Sequence, residues 1–516
     1  VISRNVISRM KALAGRSPLA RNTVANALGQ LAAPLMALVL VPFYIARLGL
    51  EGYGLLVFFA TMSAALMVFS SGIGWALQRE IAHRNSSPEE RDTLPPLVRT
   101  FEVLYWAAAV LVALAIFGLA PLIAGRWLET TLPADDAVVA LRTAGLRIGL
   151  AFPMGMYQVV LLALQRQVRL NSILSVAAVI SAAACAAAVA TTRSVVGFAA
   201  ADTLVALVTL AALSRIARLP SVTARFRREE LSRLWRMSLS LVWIHGVGVV
   251  IKQLDRVVMS KLLPLASLGV YSAGTAGGRI LPLVYGPFST AVYPQTCAIA
   301  RRGTDDRFAA HVMRNAAVFF VLGMSAALPL AFFAGDLLLA WTRNPRIALG
   351  GAPTMAVFVA GSLCTAATTV LHLSQTAKGI TGPAVRVNTI AIFWFPPVLW
   401  WLVGRFGIVG AAWAWLLYSA TGWLYFLVTT PVLAVPGNRA KYLRLHLLIV
   451  AATIPVAAAM RWLSMEFFEQ SLWLRVACAI TTGALVLGAG ALAAFGRHLG
   501  PGIDFFRQSM RGASDP

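Results

Sequence analysis

Apolar runs of about 20 residues follow one another almost end to end along this chain, and few folds accept that pattern. The hydropathy fits spans at roughly 22–46, 53–77, 100–125, 138–164, 170–191, 195–216, 238–263, 267–297, 311–334, 351–376, 384–404, 407–432, 442–462 and 471–495. Inside hydrocarbon every backbone N–H and C=O must find its partner within the segment, so runs of this length dictate membrane-spanning helices. Only 12% of residues are charged, against about 25% in an ordinary globular domain. The expected fold is an all-α polytopic membrane protein of about 14 transmembrane helices, with no large aqueous domain.

The formal net charge of +24 would suggest nucleic-acid binding in a soluble protein. Here it follows the Lys/Arg enrichment of cytoplasmic loops, and no aromatic-studded basic domain exists to hold a nucleic acid. Counted by loop, about 30 Lys and Arg fall on the side of the N-terminus and about 9 on the other, so both termini are expected in the cytoplasm. The basic N-terminus (Arg4, Arg9, Lys11, Arg16, Arg21) has no cleavage-like site after it and reads as a retained cytoplasmic tail. Cys185, Cys297, Cys364 and Cys478 lie far apart, without metal or disulfide spacing.

A weak self-similarity recurs at a shift of about 215 residues. VRLN at 168–171 returns as VRVN at 385–388. Val196-Gly197 followed by FAAA returns as Val409-Gly410 followed by AAWA, and YGLL at 53–56 answers to LGVY at 268–271. Six spans per repeat is an even number, which implies two pseudo-symmetric six-helix bundles related by an axis along the membrane normal. The expected organisation is a first bundle at 1–217, an interfacial basic linker at 218–237, a second bundle at 238–432, and two extra helices with a tail at 433–516. In the linker, Leu231, Leu234 and Trp235 share a face opposite Arg227, Arg228, Arg233 and Arg236, as in a helix lying on lipid. Span 267–297 holds Gly277, Gly278, Pro282, Gly286, Pro287 and Pro294 and is expected to kink or break, as is the first span at Pro34 and Pro42.

Three charges, Lys252, Asp255 and Arg256, share one helical stripe inside span seven. Taken with depths along the helix axis, Arg147 in span four and Arg279 in span eight fall in the same band as these three. Four cations then meet one acid, Asp255, which either pairs with Lys252 or Arg256 or serves function. Excess positive charge at that depth is tolerable if water fills a cavity and an anion visits it; arginine favours phosphate or diphosphate. Asn22, Asn26 and Gln30 form an i, i+4, i+8 stripe in span one. It reads either as glue between helices or as hydrogen-bonding groups for sugar hydroxyls at a cytoplasmic entrance. Asp202 in span six could carry a coupling ion or make a local helix–helix bond.

The segment IKQLDRVVMSKLLPLASLGVYSAG (251–274) resembles the span seven–eight signature of bacterial polysaccharide flippases. RLGLEGYGLLVF (47–58), with Asn26 before it, resembles their first outer turn. These are the Wzx or O-antigen flippases of the multidrug/oligosaccharidyl-lipid/polysaccharide (MOP) superfamily, and the likeness covers about residues 20–432. The resemblance implies an inner-membrane, non-enzymatic carrier. It would move an undecaprenyl-diphosphate-linked oligosaccharide to the periplasmic leaflet by alternating access, without ATP. The implied coupling ion is H+ or Na+, left open, and no cofactor is called. A monomer is expected, with membrane lipid and other glycan-assembly membrane proteins as further partners. Leu262-Leu263-Pro264 departs from the usual glycine-containing turn. Two alternatives stay open: a drug or other lipid exporter of the same superfamily, and a membrane-embedded glycan ligase or polymerase. The cations stand against the first and the short outer loops against the second, and the lack of a nucleotide-binding motif stands against an ATP-driven pump.

Overall fold

The computed structural model describes residues 18–217 and 226–496; side chains at 18–35 and 233–247, among others, lie outside the described set. Among the described residues the chain is helical, with no strand. The helices are α1 Pro18–Ser86, α2 Leu94–Leu122, α3 Ala134–Ala163, α4 Gln167–Thr192, α5 Val195–Ala217, α6 Arg228–Leu262 and α7 Leu265–Arg302. They continue as α8 Asp305–Phe332, α9 Ala334–Thr342, α10 Pro345–Ala377, α11 Gly382–Thr429, α12 Pro431–Ala434, α13 Asn438–Phe468 and α14 Leu472–Phe495.

Among the described residues, ten stretches are long and apolar enough to cross a bilayer. Two helices each contain a pair of spans folded at a glycine, α1 at Gly49 (φ 72°) and α11 at Gly407 (φ 59°). A side chain would strain that backbone. With α6 and α7, 35 and 38 residues long, the architecture accommodates about fourteen spans. The expected break in 267–297 is absent, since α7 runs unbroken with Pro282, Pro287 and Pro294 inside it. In α1 the departure from helical backbone is at Gly49, not at Pro34 or Pro42. A proline forfeits one N–H bond yet can leave the helical path intact where neighbouring groups re-satisfy the freed carbonyl.

The backbone itself carries the repeat. Of the seven described residues with positive φ, four form two pairs, Gln165 (57°) with Gly379 (75°) and Arg193 (50°) with Gly407 (59°), the second pair alike in φ but not in ψ. Both pairs have the same separation along the chain, and it falls within the range of the sequence echoes. These are the turns between spans four and five, and between five and six, of each repeat. Packing divides the chain elsewhere, into compact units at Val1–Gly269 and Val270–Pro516. By the repeat α6 opens the second half, yet it belongs to the first unit, where it packs on α1. Residues 228–237 of the expected linker are the first turns of α6, and 218–225 lie outside the described residues.

Within the first unit the signature glycines meet reciprocally. A Cβ on Gly54 would lie 2.1 Å from the carbonyl oxygen of Leu265, and one on Gly269 would lie 2.7 Å from that of Leu50. The two glycines are counterparts in the echo of YGLL by LGVY, so each repeat supplies one side of a backbone-to-backbone crossing. Gly54→Ala is expected to lower stability by about 2 kcal/mol or more, because the obstacle is main chain and cannot rotate away. Thermal melts of purified protein would test this; an unchanged melt would mean the crossing is loose.

Candidate functional site

In the first unit α1, α3, α4 and α5 enclose a cavity of about 430 Å³. Most of its wall is apolar, but one side carries Arg147, Asp202, Ser181, Cys185 and Tyr44. Arg147 Nε donates to Asp202 Oδ2 at 3.1 Å, and Ser181 Oγ donates to Asp202 Oδ1 at 3.0 Å. Both charged side chains keep nearly a third of their surface open, 30% and 27%. Tyr44 is set by an edge-on contact with Phe198, ring centroids 5.3 Å apart. An ion pair partly open to a cavity has a partner now and can still exchange it for an incoming anion.

At the offset of the paired turns the second repeat is built differently. Arg147 answers to Gly361 and Asp202 to Leu416, and there a Cβ on Gly361 would sit 3.0 Å from Leu416 Cα. Ser181 and Cys185 answer to Phe395 and Leu399, both fully buried. The same helix crossing is thus solid apolar packing in one repeat and a polar cavity in the other.

The remaining expected site residues are placed as follows. On α6, Lys252 is exposed, Asp255 is 6% exposed and Arg256 is half-buried; the Arg256 backbone N–H donates to Asp255 Oδ1 at 2.8 Å. None of these three lines the Arg147 cavity. Arg279, in the second unit, lies over the Phe358 ring with its guanidinium carbon 5.2 Å from the centroid, and Phe358 stacks on Trp415 at 5.3 Å. The side chains of Asn22, Asn26 and Gln30 lie outside the described residues. One expectation is corrected: Asp255 is not the sole acid serving the four cations, because Asp202 takes Arg147. Depth along an axis carries no information about which way a side chain faces.

Two acids escaped notice in the sequence. Asp336, 8% exposed at the start of α9, pairs with Arg461 of α13 and with Arg475 Nε of α14 at 3.2 Å, tying the last two long helices to the second repeat. Glu230 on α6 takes Arg84 of α1. An acid at the edge of an apolar run, matched to an arginine in another, is a signal that pairwise search would have found.

This all-helical fold has counterparts among solved structures. A lipid II flippase MurJ in an inward closed conformation superimposes with a TM-score of 0.69 at 13% identity, over 95% of this chain and 99% of that one. An inward-facing multidrug resistance MATE family transporter of the MOP superfamily gives 0.61 at 13%, over 81% and 98%. A MOP superfamily transporter from Pyrococcus furiosus gives 0.54 at 12%, over 82% and 94%. No curated protein sequence matches the chain. The sequence pattern of the family described as polysaccharide biosynthesis protein matches residues 19–298, more than half of the chain, and the chain belongs to that family. The solved structures that share its fold are a flippase and transporters.

Proposed function

We propose that this protein carries an undecaprenyl-diphosphate-linked oligosaccharide from the cytoplasmic to the periplasmic leaflet of the inner membrane by alternating access. Both termini face the cytoplasm, the protein acts as a monomer, and Arg147, Lys252, Arg256 and Arg279 meet the diphosphate. Asp255 orients the α6 cations, while Asn22, Asn26 and Gln30 serve the glycan at the entrance. The supporting observation is cationic side chains set into apolar helices of a polysaccharide biosynthesis family whose fold is shared by a lipid II flippase. Asp202 acts as an internal stand-in, holding Arg147 until the diphosphate arrives.

The test is reconstitution into vesicles with a fluorescent undecaprenyl-diphosphate oligosaccharide, whose arrival in the far leaflet is read with an impermeant quencher. Translocation is expected, and Arg279→Gln should slow it at least about tenfold, the scale of one charge-assisted hydrogen bond. Transport of a cationic dye with no movement of the lipid would establish the drug-export alternative instead.

A further inference from the structure

The cavity beside Arg147 is kept open by small residues, and the repeat shows what kind of group fits its space. At the offset of the paired turns Ala178 answers to Ile392, Ser181 to Phe395, Cys185 to Leu399 and Thr209 to Trp423. In each of these pairs the second repeat carries the larger side chain, and Phe395 and Leu399 are fully buried. A ring and a branched aliphatic group therefore fill this helix crossing in one unit, while the other leaves about 430 Å³ there.

Size limits the occupant. A cavity of about 150 Å³ holds a six-carbon ring, so this one has room for roughly 17 heavy atoms. Two isoprenyl units with a phosphate group fit, as does a single hexose, but a disaccharide does not. The wall decides between the first two. Met36, Leu40, Leu174, Ala177 and Ala182 offer a ligand no side-chain hydrogen bond, and each hydroxyl buried without a partner weakens binding about tenfold. The charged groups are gathered on one side, where Arg147 and Ser181 both donate to Asp202. One phosphate on that side and hydrocarbon against the rest match such a wall. The hydrocarbon is also close at hand. On α4, Ala178 and Ala182 face the cavity, whereas Val176, Val179 and Ile180 are at least half exposed, so the helix that forms this wall borders lipid.

We infer that this cavity seats the isoprenyl units next to the diphosphate, so that the first unit recognises the lipid end of the substrate and leaves the glycan outside. The inference rests on the lipid-linked substrate proposed above. Arg147 exchanges Asp202 for a phosphate oxygen, and the start of the prenyl chain takes the space that Phe395 and Leu399 fill in the second repeat. Bilayer hydrocarbon is as apolar as this wall, so moving the chain from one to the other is nearly neutral. The cavity acts by excluding sugars rather than by attracting tails. A carrier built this way accepts different glycans on the same lipid.

The experiment uses the full chain in uncharged detergent, titrated with geranyl phosphate, glucose 1-phosphate, inorganic phosphate and dihexanoyl phosphatidic acid. Geranyl phosphate is expected to bind saturably, at least about tenfold tighter than glucose 1-phosphate, the effect of one stranded hydroxyl. Ala178→Ile, which brings the second repeat's residue into the first, should weaken geranyl phosphate about tenfold, as should Ala182→Leu, with less effect on inorganic phosphate. Monodisperse elution of both variants separates a filled cavity from a lost fold. Glucose 1-phosphate binding as tightly as geranyl phosphate would overturn the inference, as would two filled variants that bind geranyl phosphate like the parent. Phosphatidic acid binding tighter than geranyl phosphate would give the cavity to a bilayer phospholipid and overturn it too. In the vesicle assay, full translocation by both filled variants would sink this inference alone. Cavity binding of geranyl phosphate by a protein that moves no lipid-linked oligosaccharide would instead sink the transport reading and leave the cavity its ligand.

Discussion

Arg147→Glu is expected to cut transport by at least about a hundredfold, equivalent to about 2.7 kcal/mol in an activation barrier. The parent holds opposite charges 3.1 Å apart at a cavity wall. Attraction between such charges is of the order of 4 kcal/mol at 4 Å under an effective dielectric of about 20. The substitution turns attraction into repulsion and places two carboxylates where an anionic substrate must come. Exposure of nearly a third of each side chain reduces the effect on stability, because water screens what it reaches. It does not help a diphosphate approach two negative groups. Surface glycan on cells and lipid translocation in vesicles measure the outcome, with membrane insertion checked by immunoblot. The exchanged pair Arg147→Asp/Asp202→Arg separates two roles. If the pair only holds α3 to α5, the exchange restores transport along with stability. If Arg147 must present its charge to a substrate, stability returns and transport does not. Normal transport by Arg147→Glu would remove this cavity from the pathway.

Much of the architecture was legible because its causes are local. A run of apolar residues must be helical in lipid whatever surrounds it, and its length is set by the bilayer. The repeat was visible as faint echoes in sequence and is sharper in the backbone, where Gln165 and Gly379 turn alike although they share no chemistry. The glycines of YGLL and LGVY also had a local signature, although only the structure shows that they face each other's helix carbonyls. The site was less legible because its causes are not local. Arg84 and Glu230 are 146 residues apart, and Arg461 and Asp336 are 125 apart. A helical wheel gives the faces of one helix but not which neighbour each face meets. Charge counting by depth therefore found Arg147 and missed that Asp202 holds it. It grouped Arg147 with Lys252, Asp255 and Arg256 because their depths agree, whereas the Arg147 cavity is walled by other helices. The structural link between α13, α14 and the second repeat was invisible for the same reason, since it runs through a single acid, Asp336.

Glu230→Gln should be among the most destabilising single substitutions at the Lys/Arg-rich end of the first unit. The side chains of Arg84 and Glu230 are 5% and 13% exposed, and the two groups meet fork to fork. Removing one partner of such a pair leaves a charge in a place it was never solvated, at a cost of about 3–5 kcal/mol. Glu80 and the Thr93 hydroxyl remain within reach of Arg84, which favours the lower figure. The pair also pins the first turn of α6 to the end of α1, so the loss should be felt as release of α6. Heating the purified protein and following its monodisperse fraction would show a lower midpoint for Glu230→Gln. The double variant Arg84→Met/Glu230→Met should melt closer to the parent than either single variant, because no buried charge is left without an opposite. A double variant less stable than both singles would mean that the two side chains contribute packing and their charges contribute little.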